Sequence, residues 1–257
     1  MWDNPVALNR ISDLLTAAAA LAVLYAALRW AVQLPVFAVQ EVRVGGATKH
    51  MTLDQVEAIA KRDMHGTFFT LDLPAIRASF EKLPWVRQVS LRRQWPDRLD
   101  VTVEEHVPFA RWGSLGLVNI QGEVFEAAYD GGLPVFDGPK GASKEIKARY
   151  EQFRAGLAAL GRTPVRVQLS DRRAWRVQLD SGTTLELGRE QAEARLQRYI
   201  THHDRTIGQL ARRIDYIDLR YPNGFAVRIP ELAKEGADAA ARKGMQRPQQ
   251  RTQRPKA

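Results

Sequence analysis

The chain opens with a long apolar segment. Residues 14–28 read LLTAAAALAVLYAAL without a charged side chain, and after Arg29 the apolar sequence continues to Leu34. At about 1.5 Å per residue, a helix over residues 14–34 covers roughly 31 Å, close to the thickness of a bilayer's hydrocarbon core. Arg29 lies near one end, where its side chain can reach the headgroups. The pattern predicts a single transmembrane helix, preceded by a cytoplasmic tail at residues 1–13.

A cleaved signal peptide and a buried helix of a soluble protein are the alternatives for this segment. A signal peptide needs a small-x-small cleavage site before a polar mature start. Residues 35–39 continue instead as an apolar stretch. A buried amphipathic helix would show a polar face, and none interrupts residues 17–28. We expect the N-terminus in the cytoplasm, because a short tail before a long C-terminal region is typical of anchored exported domains.

The next region alternates between strand and helix patterns in the order β-α-α-β-β. Thr52 and Gln55 have the spacing of a capping box, and Asp72 with Pro74 marks a second helix start. The predicted elements are a strand at 36–44, helices at 52–63 and 72–83, and strands at 85–91 and 99–105. We take residues 36–110 as one domain.

Residues 111–230 form a second predicted domain. A turn at Gln121-Gly122 favours a tight hairpin, and Pro222-Asn223-Gly224 favours another near the end. The predicted elements are a hairpin at 117–125, helices at 143–160 and 191–209, strands at 165–169, 175–179 and 185–187, and a last hairpin joining 214–221 to 225–229. This order predicts an antiparallel sheet with two flanking helices, so the fold class is α+β.

Composition adds few constraints beyond this. The chain has 38 Lys and Arg against 29 Asp and Glu, a net charge of +9, and no cysteine. Disulfides, thiolate metal sites and a cysteine nucleophile are therefore excluded. Residues 231–257 hold seven basic and three acidic residues without apolar periodicity, which predicts a disordered basic tail. Much of the positive charge belongs to this tail rather than to a folded nucleic-acid face.

No motif in the sequence predicts a catalytic, cofactor-binding or metal-binding residue. Residues 113–116 lack the spacing of a nucleophile elbow. Adjacent residues of a helix point about 100° apart, so His202 and His203 are poorly placed to share a metal. Glu104 and Glu105 alternate across a strand, so each carboxylate faces a different side. We expect a protein that is not an enzyme.

Four motifs resemble those of known families. F-x-V-x-x-V-x-V-x-G at residues 37–46 and P-W-V-R-x-V-x-L-x-R-x-W-P-D-x-L-x-V at 84–101 resemble the polypeptide-transport-associated (POTRA) module. L-V-N-x-Q-G-x-V-F at 117–125 and Y-I-D-L-R-Y-P-N-G-F-A-V at 216–227 resemble the FtsQ/DivIB family of bacterial division proteins. POTRA modules also occur in secretion and outer-membrane biogenesis subunits, which is the alternative function.

The resemblance to FtsQ/DivIB implies an inner-membrane scaffold of the divisome with its body in the periplasm and no enzymatic activity. It implies that FtsB and FtsL are the partners, and that FtsB adds a strand to the last strand while a short helix docks nearby. The family's contact positions match Arg172, Arg220, Tyr221, Asn223 and Gly224. Ile229 stands where many members carry a tryptophan.

The residues themselves suggest the same mechanism. The last predicted strand, with Phe225, Val227 and Ile229, has no later strand to pair with, so it is a candidate open edge for a partner strand. Tyr221 could serve as an aromatic anchor, and Arg172 and Arg220 suit an acidic partner segment. From the residues alone, solvated charge for the two arginines and plain packing for Tyr221 remain the alternatives.

Overall fold

The computed structural model describes residues 5–46, 49–210 and 212–232. The chain divides into two compact units, Met1–His106 and Val107–Ala257. Most of the predicted basic tail lies outside the described residues. Its first two residues, Glu231 and Leu232, are helical.

The N-terminal helix α1 spans Pro5–Val32 and therefore begins before the predicted start at Leu14. Within it, the segment Asn9–Val32 has 24 residues and a mean hydropathy of 1.9, long and apolar enough to cross a membrane. Helix extension costs little once a helix has nucleated, so the polar residues before Leu14 continue it. Pro35 prevents α1 from continuing beyond Val32, because proline has no N–H to donate and restricts the backbone of the residue before it.

The remainder of the first unit confirms the predicted β-α-α-β-β order. Its elements are β1 (Glu41–Gly45), α2 (Leu53–Asp63), α3 (Leu73–Phe80), β2 (Val86–Gln94) and β3 (Arg98–Glu105). The strand order is β1-β3-β2, with β1 parallel and β2 antiparallel to β3. The first strand is shorter than predicted, because a 3₁₀ turn occupies Pro35–Phe37.

Both helix starts follow from local chemistry. Gln55 N donates to Thr52 Oγ1 at 3.4 Å and Thr52 N donates to Gln55 Oε1 at 3.1 Å, so the predicted capping box is confirmed. Ala75 N donates to the carboxylate of Asp72 at 3.1 Å at the start of α3. The two helices cover one side of the sheet, and Ile76, Phe80 and Leu99 are fully buried between them.

The second unit is built on a nine-stranded sheet. Its strands are β4 (Pro108–Trp112), β5 (Gly116–Asn119), β6 (Val124–Phe125), β7 (Val135–Asp137), β8 (Pro164–Leu169), β9 (Trp175–Leu179), β10 (Thr184–Gly188), β11 (Tyr216–Asp218) and β12 (Ala226–Arg228). The order across the sheet is β12-β11-β10-β9-β8-β7-β4-β5-β6. Helices α4 (Ser143–Leu157) and α5 (Ala192–His202) pack against it through a shared core.

The expectation of a purely antiparallel sheet is wrong. The pairs β4–β7, β7–β8 and β10–β11 are parallel, while the other neighbouring pairs are antiparallel. For two of these pairs the reason is a helical crossover: α4 joins β7 to β8 and α5 joins β10 to β11, and a helical crossover between neighbouring strands makes them parallel. β4 and β7 are connected through β5 and β6 instead. The α+β class still holds, with one mixed sheet and two flanking helices.

Two short strands, β4 and β7, were absent from the sequence expectation. They pair with each other, and β7 connects the β4–β5–β6 meander to β8 in the sheet. The division between the two units follows His106, whereas the expected boundary after Ala110 falls inside β4. The second predicted helix also ends early: α5 stops at His202, and two 3₁₀ turns continue to Gln209.

Candidate functional site

The last strand lies at one edge of the nine-stranded sheet, as predicted. β12 pairs with β11 in antiparallel register, with Tyr216 opposite Arg228 and Asp218 opposite Ala226. Among residues 212–232 no further strand follows it, since the chain turns helical at Pro230. Within the described chain, the outer side of β12 is therefore a row of backbone groups without a strand partner.

Side chains along the edge strand alternate between the two faces of the sheet. Phe225 and Ile229 are half-buried and pack against the core of the unit. Val227, on the same face, is 36% exposed. On the other face, the guanidinium of Arg228 lies over the ring of Tyr216 at 5.2 Å. The edge thus offers one apolar side chain, Val227, next to its open backbone.

The loop that leads into β12 is held by one arginine of α5. Arg198 donates through Nη2 to the carbonyls of Leu219 at 3.1 Å and Tyr221 at 2.7 Å, and through Nη1 to that of Pro222 at 2.7 Å. A planar guanidinium with several donors can bind three carbonyls of one curved segment at once. Arg198 therefore sets the path of the chain from β11 to β12.

Aromatic packing fixes the far end of the same loop. The ring of Phe225 meets that of Tyr199 edge-on, with centroids 6.2 Å apart, and Arg198 lies 6.0 Å from the Phe225 centroid. Burial raises the pKa of Tyr199 to about 12. The tyrosine therefore stays neutral and acts as an apolar support for the loop.

A groove of about 540 Å³ runs between the C-terminal end of α5, the 3₁₀ turns after it and β12. Val227 and Phe225 line it from the strand, and Arg198, His202 and Ile207 line it from the helical side. A second depression of about 460 Å³ is formed by the hairpin loop itself, residues 221–226. Tyr221 belongs to this depression and is 55% exposed. Open backbone and an apolar groove therefore lie side by side.

An ion pair stabilises the start of the loop. Arg220 donates through Nη2 to Asp218 Oδ2 at 2.6 Å and through Nε to Oδ1 at 2.9 Å, and its backbone N donates to Oδ1 at 3.0 Å. The side-chain hydrogen bond from Arg220 lowers the pKa of Asp218, and the same bond raises the pKa of Arg220. Asp218 is buried while the guanidinium is half exposed, so Arg220 presents a fixed positive charge at the surface.

Gly188 makes room for this arginine. It lies at an irregularity of the β9–β10 pairing and has a φ of +75°. A Cβ at this position would meet Arg220 Cγ at 3.0 Å and Arg195 Nη1 at 2.6 Å. Glycine is therefore needed both for the backbone conformation and for the close approach of Arg220.

Comparisons with known proteins agree across most of the chain. Residues 110–220 match the family described as "Cell division protein FtsQ/DivIB, C-terminal", and residues 37–106 match "POTRA domain, FtsQ-type". "Cell division protein FtsQ" of Nitrosospira multiformis is 46% identical, with 89% of this chain and 99% of the relative covered. The Burkholderia pseudomallei protein of the same name is 42% identical, covering 89% and 94%.

The chain belongs to the FtsQ/DivIB family. A more distant relative, "Cell division protein FtsQ" of Neisseria gonorrhoeae, is 34% identical over 91% of this chain and 100% of its own length. Membership assigns the protein a role in the bacterial division machinery. Membership of this family and the apolar helix α1 both fit a membrane-anchored division protein.

Most of the candidate partner-binding residues, from the FtsQ/DivIB resemblance and from the edge-strand pattern, lie together. The groove and the loop depression contain Tyr221, Asn223, Gly224, Phe225 and Val227. Arg220 directly precedes the loop depression. Ile229 is half-buried and packs against the core.

Arg172 lies apart from this group. It is exposed in the β8–β9 turn, at the same end of the sheet as Gly188. β9 and β11 are two strand spacings apart, about 10 Å. Its neighbour Arg173, with a φ of 65°, donates to Glu145 at 2.6 Å. A ligand that reaches both Arg172 and Arg220 would have to cross the ends of β9 and β10.

Sequence reasoning missed the residues that shape the site. Arg198 and Gly188 carry no local motif, because the groups that they contact lie elsewhere in the chain. Asp218 lies within the motif at residues 216–227, but its ion pair with Arg220 was not predicted. Arg198 binds carbonyls of residues 219–222, more than one element away. Among the described residues, no group of three or more His, Cys, Asp or Glu side chains is placed to hold a metal ion.

Proposed function

We propose that this protein is a non-enzymatic scaffold of the divisome, anchored in the inner membrane at the septum, that captures FtsB and FtsL through the edge of β12. In this proposal residues 1–13 lie in the cytoplasm and residues 14–34 cross the membrane once. The POTRA domain at residues 36–110 and the partner-binding domain at 111–230 lie in the periplasm. Together they link early and late division proteins.

The observation that carries the proposal is the open outer side of β12 beside an apolar groove. An incoming extended segment finds backbone donors and acceptors along the strand, and its side chains find Val227 and Tyr221. This is the arrangement used in strand addition, where the backbone contributes affinity and alternate side chains contribute specificity.

The groove is required because β12 is short. A strand of three residues accepts few new backbone hydrogen bonds. At about 0.5–1.5 kcal/mol net for each bond, they contribute only a few kcal/mol. Micromolar binding needs about 8 kcal/mol in total. The remaining free energy has to come from apolar contacts, for which the groove and the exposed ring of Tyr221 are suited.

Charge complements this surface. Arg220 is fixed by Asp218 at the start of the loop, and Arg172 lies at the same end of the sheet. Two arginines at one end of the site favour a partner segment with acidic residues next to its strand.

Co-purification tests the proposal. The full chain, carrying an affinity tag, is expressed with FtsB and FtsL and isolated from detergent-solubilised membranes. We expect Tyr221→Ala and Val227→Lys to abolish capture of both partners, because each removes an apolar contact beside the open strand. Circular dichroism and thermal unfolding should remain close to those of the unmodified chain, since both side chains are exposed.

The opposite edge of the same sheet supplies a matched control. Val124 is an exposed valine on β6, the strand at the other end of the strand order. Val124→Lys introduces the same charge at the same kind of position and should leave capture unchanged. Unchanged capture by Tyr221→Ala and Val227→Lys, or equal loss with Val124→Lys, would contradict binding at β12.

A further inference from the structure

The first unit is tied to the end of its membrane helix. Thr67 Oγ1 donates to the carbonyl of Val32, in the last turn of α1, at 2.7 Å. Phe68 N donates to the carbonyl of Phe37 at 2.6 Å, and Thr67 forms a β-bridge with Ala38. The loop between α2 and α3 is thus bonded both to the helix end and to the connection that follows it.

This loop and the connection expose large apolar side chains. Phe69 is 49% exposed and Val36 is 71% exposed. The rings of Phe69 and Phe37 meet edge-on with centroids 5.3 Å apart, so the two segments form one apolar patch. Exposed apolar side chains that lie next to each other at one end of a module mark an interaction surface rather than ordinary surface scatter.

A third exposed side chain lies at the same end of the POTRA sheet. Gln40 N donates to the carbonyl of Asp97 at 2.9 Å, which places the β2–β3 turn beside the start of β1. Trp95 in that turn is 71% exposed. Val36, Phe69 and Trp95 are called the membrane-proximal surface below.

The length of α1 sets how far this surface lies from the bilayer. In the proposed span, residues 14–34 cover about 31 Å, close to a hydrocarbon core of roughly 30 Å. Val32 is two residues, about 3 Å, from the end of this span, so it lies at the boundary between the core and an interfacial layer roughly 5–8 Å thick. Phe69 is two residues from Thr67 and therefore within about 7 Å of it along the chain.

We propose that the membrane-proximal surface rests in the interfacial layer of the bilayer, so that lipid is its partner. The inference rests on the proposed anchoring through α1. Lipid is the occupant because the surface continues directly from a helix long enough to span a bilayer, and because the loop that carries Phe69 is hydrogen-bonded through Thr67 to the last turn of that helix. Tryptophan and other aromatic side chains are favoured at the headgroup level, where one side is apolar and the other wet.

Lipid contact at this surface gives the POTRA domain a fixed height and tilt. A single helix end allows a domain to swing about the connection. Contacts at Phe69 and Trp95, on two separate loops, restrict that motion because both loops have to stay at the same depth. The hydrogen bond between Thr67 and Val32 supports the same orientation from within the chain.

The absence of cysteine allows a direct test. A single cysteine replaces His65, which is exposed two residues before Thr67, and carries an environment-sensitive fluorophore. The full chain is reconstituted into vesicles with and without phospholipid brominated near the headgroup end of its acyl chains. We expect the His65→Cys label to be quenched by the brominated lipid. Adding Phe69→Ser should reduce this quenching, while Phe69→Leu should retain most of it.

Two further labels separate this inference from the anchoring on which it rests. A label at Trp30→Cys, in α1, reports anchoring and should be quenched in every variant. A label at Lys82→Cys, exposed at the other end of β2, should not be quenched, because β2 is about 27 Å long between its end residues.

The labels distinguish lipid contact of the membrane-proximal surface from anchoring through α1. Quenching at position 30 without quenching at position 65 overturns lipid contact and leaves anchoring intact. No quenching at position 30 overturns both. A label at position 65 that is shielded from water but unaffected by brominated lipid shows that a protein, such as a second copy of the chain, covers the surface.

Discussion

Arg198 Nη2 lies 2.7 Å from the carbonyl oxygen of Tyr221, so a side chain of α5 fixes the backbone of an exposed aromatic residue in the hairpin loop. The same guanidinium also binds the carbonyls of Leu219 and Pro222. The outer side of β12 is open, but the loop before the strand is held in one orientation by α5, a helix that packs in the core of the unit.

Replacing Arg198 tests this relationship. Arg198→Ala removes three hydrogen bonds from a charged donor, and we expect the free energy of unfolding to fall by about 1–3 kcal/mol. Capture of the partners should fall more steeply than stability, because the loop loses its bound shape. Chemical denaturation and co-purification measure the two effects. Arg149→Ala, at a half-exposed arginine of α4 that bonds Gln152 and Glu193 at the surface, should lower stability by only about 0–1 kcal/mol.

Gly188 offers a test of the packing behind Arg220. Gly188→Ala has to hold a positive φ, which costs about 1–2 kcal/mol, and its Cβ displaces Arg220. Gly141 has a φ of +82° with nothing near the position of a Cβ. Gly141→Ala should therefore cost the same strain without a change in partner capture. Equal capture by both variants would show that the position of Arg220 does not matter for binding.

The pair of Asp218 and Arg220 predicts an acid dependence of stability. The pKa of Asp218 is held below its ordinary value of 3.8 by the Arg220 hydrogen bond, so the unfolded chain takes up a proton first as the pH falls. The contribution of the pair is complete above about pH 4 and disappears as the pH passes through the lowered pKa. Asp218→Asn should be less stable at pH 7 and lose less between pH 5 and 3. Asp171→Asn, which removes a carboxylate from an exposed turn, should change stability at pH 7 by less than about 0.5 kcal/mol.

The neighbouring carboxylates of Glu104 and Glu105 in the POTRA domain bind different partners. Glu105 accepts backbone hydrogen bonds from Lys49 at 2.9 Å and Met51 at 3.0 Å, and His50 stacks on Trp85 beside it. Burial alone would raise the pKa of Glu105, but these backbone hydrogen bonds outweigh it and lower the pKa. Glu104 faces the other way and pairs with Arg87 at the surface.

We therefore expect the two amide substitutions to differ. Glu105→Gln replaces an acceptor oxygen with a donor and leaves a backbone N–H unpaired, which should lower the free energy of unfolding by about 1–3 kcal/mol. Glu104→Gln breaks only a surface ion pair and should cost about 0–1 kcal/mol. Denaturant titration of the full chain in detergent compares them. A larger loss for Glu104→Gln would show that the loop at residues 49–51 is held by other contacts.

Local sequence patterns determined the elements that form through contacts within a few residues. The apolar run predicted α1, and the spacing of Thr52 and Gln55 predicted the start of α2, because a cap and its helix lie in one stretch of chain. The edge position of the last strand was also predicted from the sequence, and the strand order confirms it.

Only the tertiary structure decided how distant segments meet. No strand signal in the sequence indicated β4 and β7. Their parallel pairing depends on where the chain rejoins the sheet after β6, and the parallel pairing of β7 with β8 depends on where α4 returns the chain to the sheet. Likewise, the three carbonyls that bind Arg198 and the Gly188 backbone that accommodates Arg220 come from elements far apart in sequence. Sequence patterns indicate which side chains are buried. The residues that each buried or hydrogen-bonded group contacts are set by packing across the whole unit.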